Sequence, residues 1–205
     1  MFHCGCEASH GRRRIVLTGG PGAGKTASLE LARQVFCPHV LVLKESAGML
    51  FGGGFPRNGS LAGRQAAQRA IYHVQRELEE AAAVLDSALV VCDRGTLDGA
   101  AYWPGPGSLF DAVGTTIEAE LARYDAVIHL RTPRLELGYD HMNPLRVESA
   151  DEAVALDQRL FEAWEGHPRR IVVEANSDFI AKILQVVDAL RAEVPACCGG
   201  RHGQA

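Results

Sequence analysis

Residues 14–26 constrain this chain more than any other stretch. The apolar run Arg14-Ile-Val-Leu-Thr18 gives way to Gly19-Gly20-Pro21-Gly22-Ala23-Gly24-Lys25-Thr26, which fits the spacing GxxxxGK[ST] in full. A short apolar run ending in glycines reads as a buried strand, and residues 24–35 carry Leu29, Ala32 and Val35 at helical spacing. A strand therefore feeds a glycine loop inside which a helix begins. Glycines let successive backbone N–H groups curl around an anion that side chains would block. The helix start adds its partial positive charge to the same point. Residues Gly19 to Ala27 are thus expected to cradle the phosphates of ATP or GTP. Lys25 would bridge the β- and γ-phosphates, and Thr26 would offer its hydroxyl to Mg²⁺.

The rest of the chain alternates between the same two kinds of segment. Strands are expected at residues 39–43, 88–92, 126–130 and 171–173, all apolar instead of alternating. Helices are expected at 111–123, 149–164 and about 177–193. The longest is expected at 61–86, with Ala67, Ile71, Val74, Leu78, Ala82 and Leu85 as its apolar stripe. Residues 52–59 and 102–108 are too rich in glycine and proline for regular structure. Continuous apolar strands separated by amphipathic helices predict an α/β protein, a parallel sheet covered on both faces. No repeat or linker divides residues 12–194, which read as one domain with a lid at about 131–165 and disordered tails at 1–11 and 195–205.

Composition excludes several other classes. With 205 residues, 47% of them hydrophobic, and a net charge of −4, the chain can bury a sizeable core and lacks the basic face of a nucleic-acid coat. No apolar run approaches the ~20 residues of a membrane span. The opening Met1-Phe2-His3-Cys4-Gly5-Cys6 lacks the apolar stretch of a secretory signal, so a cytoplasmic location is expected. Of the six cysteines, Cys37 and Cys92 read as small core hydrophobes. His3, Cys4, Cys6 and His10 are candidate zinc ligands that Cys197-Cys198 could complete, but CxC and CC depart from the usual CxxC spacing. Two reduced tails are the favoured reading of these residues.

Candidate site residues gather after the strands. Asp93 directly follows the apolar run 88–92, where a carboxylate would meet the metal or accept a proton from an attacking hydroxyl. Arg94 is a candidate clamp on a phosphate oxygen. Glu45 ends the second strand and faces the same crevice, to orient a substrate hydroxyl or a metal-bound water. Arg64, Gln68, Tyr72 and Gln75 lie along one flank of the long helix, either lining an acceptor pocket or simply solvated. Arg131, Arg134 and Arg146 flank a Gly/Pro/Asn-containing connection, suited to delivering charge when a lid closes, with Glu148 as a partner for Arg146.

These motifs resemble the P-loop kinase-like AAA-type ATPase family, which includes ribosylnicotinamide kinase domains and the nucleotide-binding domain of a GTP-binding channel-trafficking protein. The matching stretches are residues 14–26, Lys44-Glu45-Ser46-Ala47, residues 70–79, Cys92-Asp-Arg-Gly-Thr-Leu-Asp-Gly99 and Tyr139-Asp-His-Met-Asn-Pro-Leu-Arg146. The resemblance covers roughly residues 12–192. It implies a five-stranded parallel sheet in the order 2-3-1-4-5. Asp93-Arg94 is similar to the acid–arginine pair after the third strand of thymidylate and deoxynucleoside kinases. That similarity makes Asp93 or Glu45 the base or metal partner and puts Arg94 on the acceptor side. The trafficking protein's extra lipid-binding domain has no counterpart of that length here.

Two functions compete. The first is a small-molecule kinase that transfers the γ-phosphoryl of Mg·ATP to a nucleoside- or nucleotide-like acceptor held near Glu45, Arg64, Gln75 and Arg94. The second is an ATP- or GTP-binding switch with slow hydrolysis, acting through a protein partner, with residues 52–59 or 131–146 ordered by the γ-phosphate. The chain has no Asn-Lys-x-Asp motif to read guanine. A motor ATPase is a distant third. Asn176 to Asp178 are candidate base contacts, and a homodimer or a protein partner stays open.

Overall fold

The computed structural model describes residues 11–133, 150–176 and 178–198. Five strands, β1 (Arg13–Thr18), β2 (Val40–Leu43), β3 (Leu89–Asp93), β4 (Ala126–Leu130) and β5 (Arg170–Val173), form one parallel sheet in the order β2-β3-β1-β4-β5. This is the expected α/β architecture and strand order. Ile15 of β1 stands opposite Val91 of β3 and Ala126 of β4. Because side chains alternate across a strand, Ile15 and Leu17 enter one core while Val16 enters the other. Both faces are therefore covered, which is why the central strands read as unbroken apolar runs.

The first core is closed by α1 (Lys25–Val35) and α8 (Phe179–Arg191), which bring Leu29, Ala32, Val186 and Leu190. The second holds Ala82, Cys92, Leu97, Tyr124 and Trp164. Around it lie α3 (Leu61–Ala83), α4 (Asp98–Tyr102) and α7 (Ala150–Ala163), with α2 (Ser46–Gly52) against α3. The Ser60 hydroxyl caps α3 by accepting from the Gly63 N–H at 3.1 Å. Among the described residues, no helix is long and apolar enough to cross a membrane.

Three expectations are corrected. The stretch 111–123 is two short helices, α5 (Leu109–Val113) and α6 (Ile117–Leu121). Gly114 adopts a left-handed φ of 73° and stops the first, and Thr116 caps the second. Residues 52–59 are not wholly irregular, since Gly52 is the last residue of α2. The third concerns α3, which ends at Ala83 and buries Ala67, Tyr72, Gln75, Glu79 and Ala82, leaving Leu85 50% exposed. Glu79 is turned inward because five groups meet its carboxylate: Arg14 at 3.2 Å, Arg123, the Tyr124 hydroxyl at 2.8 Å, the Gln75 amide at 2.8 Å and the Cys92 thiol at 4.0 Å. Those partners offset its desolvation, so polar pairing and not the apolar stripe sets the roll of the helix.

Of the segment 131–165, residues 150–163 are α7, whose Ala153 and Leu160 are fully buried, as is the Trp164 that follows. Arg134, Arg146 and Glu148 lie outside the described residues, as do His3, Cys4, Cys6 and His10. Within the stretch 195–205, Ala196–Cys198 form a single 3₁₀ turn and Cys198 is fully buried.

Candidate active site

The glycine loop leaves β1 against the end of β4. Gly19 has a φ of 135°, and a Cβ there would stand 2.1 Å from the Leu130 carbonyl oxygen. A Cβ on Gly20 would meet the Thr132 hydroxyl at 2.4 Å and Asp157 of α7 at 2.8 Å. Only glycines permit this approach. The Gly20 N–H donates to Asp157 Oδ1 at 2.9 Å, and the Thr132 hydroxyl donates to the Pro21 carbonyl at 3.2 Å. The loop is thus fixed from β4 and α7 before its remaining residues, Gly22, Ala23 and Gly24, turn into α1. Ala27 lies half-buried in the first turn of that helix.

Lys25 folds into this loop and donates to the carbonyls of Gly19 at 2.8 Å and Gly20 at 2.9 Å. Burial lowers its pKa to about 7, helped by Arg94 and opposed by Asp93, Glu45 and Asp98. Parallel pairing sets Asp93 beside Leu17, at the carboxyl end of the sheet. Burial raises the Asp93 pKa, with Lys25 opposing and Glu45 reinforcing the shift. Asp93, Glu45 and the exposed Thr26 line one cleft of about 180 Å³. A hydroxyl and two carboxylates are the hard oxygen donors that Mg²⁺ takes, and a cation there would relieve the crowding of Asp93 and Glu45. The donor set therefore fits the ion.

Arg94 is the sole non-glycine residue with positive φ among those described, at 70°. Strain of this kind persists where surroundings over-determine it. Its Nε donates to Glu45 Oε1 at 2.7 Å, and its Nη1 reaches Asp98 Oδ1 at 3.2 Å and the Gly19 carbonyl at 3.4 Å. Burial disfavours the guanidinium charge, but Tyr102, Asp98 and Glu45 outweigh it and hold the pKa above its ordinary value. Arg94 thus connects the crevice acid Glu45 to the loop.

A cavity of about 380 Å³ lies on the far side of this pair, lined by Glu45, Arg94, Gln68, Tyr72, Gln75 and Tyr102 among others. Of the α3 flank, Gln68, Tyr72 and Gln75 line this cavity. The Gln75 amide donates to Glu79, which fixes its orientation, and its Oε1 is buried with no hydrogen-bond partner among the described residues. Arg64 is exposed and lines an adjoining cavity of about 680 Å³ with Arg57, Arg159 and Trp103. It does not join Glu45, Gln75 and Arg94.

Arg131 stands behind the glycine loop. It meets Asp157 Oδ2 at 3.2 Å, donates to Gln158 Oε1 at 3.1 Å, and lies 4.7 Å over the Phe161 ring. His129 shares Asp157 at 3.0 Å. The Asp178 side chain caps α8 by accepting from the Ala181 N–H, and Asn176 Oδ1 accepts from the Asp178 N–H, so both shape the turn after β5.

Two residues of this arrangement escape the sequence reading. Asp98 is fully surrounded by donors: the Thr18 hydroxyl at 2.5 Å, Arg94, the Gly95 N–H at 3.0 Å and the Trp164 indole at 3.1 Å. Its nearness to Arg94, four residues earlier in the same turn, is the one local signal that could have found it. Asp157 has no comparable local signal, because its partners lie 26 to 137 residues away.

Comparison with known proteins follows the same lines. A family model described as an AAA domain matches residues 14–181. No curated protein matches the chain in sequence. Among solved structures, deoxyadenosine kinase from M. mycoides with bound dATP is similar with a TM-score of 0.55 at 15% identity, over 86% of this chain and 98% of that one. Thymidylate kinase from Ehrlichia chaffeensis has a TM-score of 0.53 at 18% identity, over 88% and 99% of the two chains. Thymidylate kinase from Candida albicans has a TM-score of 0.55 at 16% identity, over 88% and 93%. At these identities the likeness is one of fold.

Proposed function

Because the chain belongs to the AAA domain family, matched across its glycine loop and crevice acids, we propose that it is a small-molecule kinase. It transfers the γ-phosphoryl of ATP to a nucleoside- or nucleotide-like acceptor, in keeping with the folds of the deoxyadenosine and thymidylate kinases. The observation that carries this reading is the second cavity. Glu45 lines both the cleft beside Thr26 and the 380 Å³ cavity, so one carboxylate touches the phosphate side and the acceptor side. A nucleotide switch has no use for a second pocket sharing a carboxylate with the phosphate cleft at that point.

The residues then divide the work. Backbone N–H groups from Gly22 to Ala27 hold the phosphates, and Lys25 turns from the carbonyls of its own loop to the transferring group. Thr26 and Asp93 would hold Mg²⁺, which supplies charge to offset the phosphates. Glu45 accepts the proton of the acceptor hydroxyl as its oxygen attacks phosphorus and the bond to ADP breaks. Arg94 holds Glu45 in place and adds positive charge beside the transferring group. Gln75 Oε1 accepts a hydrogen bond, so the acceptor carries an N–H or O–H donor at the depth of the cavity.

The test is release of ADP from Mg·ATP, or of GDP from Mg·GTP, by the purified protein, with and without pooled nucleosides, nucleotides and vitamins. Release that rises with one acceptor is expected, and Lys25→Ala should lower it roughly 10²–10³-fold. Tight nucleotide binding with slow turnover indifferent to every acceptor overturns the kinase and moves the reading to a switch acting through a protein partner.

A further inference from the structure

A second cluster of ligating side chains lies at the opposite end of the sheet, where β2 begins. Cys37, His39 and Cys198 bring one ligand atom each to within 4.8 Å of one another. Cys198 Sγ lies 3.5 Å from His39 Nδ1. That is the separation expected of sulfur and nitrogen sharing a tetrahedral zinc, with bonds of about 2.3 and 2.0 Å. On the other edge of the ring, His39 Nε2 faces Asp86 Oδ2 at 4.0 Å. At that distance the exposed Asp86 carboxylate adds negative charge near the ring without hydrogen-bonding it. No disulfide joins the two thiols.

The ligands stand on anchored backbone. Cys37 and His39 share a turn closed by the Val40 N–H donating to the Cys37 carbonyl at 3.0 Å. The His39 carbonyl accepts from the N–H groups of Ala88 and Leu89 at the head of β3. Cys198 sits in the 3₁₀ turn, its N–H donating to the Pro195 carbonyl at 2.8 Å. Just before that turn, the buried Glu193 pairs with Arg13 at 2.7 Å and with Arg169 at 2.5 Å, tying the segment after α8 to β1 and to the residue before β5. Two rigid turns, far apart in sequence, thus present three soft or borderline ligands to one point.

We infer that Cys37, His39 and Cys198 form a zinc site that clamps the C-terminal turn to the start of β2. Two thiolates and one imidazole suit Zn²⁺ over hard cations such as Mg²⁺, and a fourth position is left for solvent. Binding expels the two thiol protons to solvent and involves no oxidant. The site lies at the opposite end of the sheet from the phosphate cradle and is independent of it. It uses Cys198 but none of the N-terminal cysteines.

The full-length chain, reduced and freed of metal, is titrated with zinc against a chromophoric chelator. One zinc per chain with submicromolar affinity is expected. Cobalt in its place gives a thiolate charge-transfer band that halves in Cys37→Ser. Cys37→Ser and Cys198→Ser each weaken zinc by at least the roughly 10–100-fold that outer partners alone contribute, while a Cys4→Ser/Cys6→Ser double variant binds as wild type. The wild-type titration stands even if the buried Cys198→Ser variant misfolds. No binding at tens of micromolar zinc overturns the site, as does binding that survives in Cys37→Ser and vanishes in the double variant.

Discussion

Asp98 gathers four hydrogen bonds on one buried carboxylate, from β1, from the turn after β3 and from the indole that follows α7. Replacing it with Asn supplies N–H groups where two donors already point, and strips the buried Arg94 of an anionic partner. Breaking a buried charge pair costs about 3 kcal/mol. For a chain of this length, Asp98→Asn should then lower Tm by roughly 6–12 °C in a thermal melt. A shift under ~2 °C would show the carboxylate to be dispensable. Sequence made Arg94 legible through its place after an apolar strand, but not the residues that hold it. Arg94 and Asp98 are near in sequence, whereas Thr18 and Trp164 come from distant segments that only folding brings together. The place of Lys25 in the glycine loop was legible from the residues around it, but not its burial or the Arg94, Asp93, Glu45 and Asp98 charges that face it.

The elements were legible where one period governs them. The five strands were found within a residue or two, since burial on both faces of the central strands leaves mostly apolar types there. The stretch 109–121 was not, because a helical pattern continues through a glycine whose backbone turns left-handed. Gly114 has no neighbour within 4 Å of where a Cβ would stand, so Gly114→Ala introduces backbone strain without a clash. It should destabilise the fold by about 1 kcal/mol, read as a shift in urea midpoint. A neutral or stabilising result would mean that the α5–α6 joint relaxes into one continuous helix. On α3 the sequence showed the helix but not its face. Glu79, Gln75 and Tyr72 look like solvated residues until Arg14, Arg123 and Glu120 arrive from other elements.

At the scale of the whole molecule, the cost of burying Lys182 makes stability depend on pH. Lys182 is 3% exposed on α8 and donates to the Arg131 carbonyl. Burial lowers its pKa from 10.5 to about 8, against the opposing pull of Asp157 and Glu174. Between those values the unfolded chain binds a proton that the folded chain does not, so stability rises with pH from about 8 to 10.5. The urea midpoint should climb across that window, and climb less in Lys182→Met. Equal slopes in the two proteins would remove Lys182 as the cause. The sheet order was legible as a whole because the glycine loop after the first strand resembles a family with that order, while the depth of Lys182 depends on how α8 seats on the sheet. The chain has two tryptophans, and their placement has an optical consequence. Trp164 is sealed in the core beside Asp98, whereas Trp103 lines the outer cavity next to Arg64. One indole reports global unfolding; the other, half-buried at the cavity wall, reports what enters that cavity. Intrinsic fluorescence can therefore separate loss of fold from occupation of that outer cavity without any attached label.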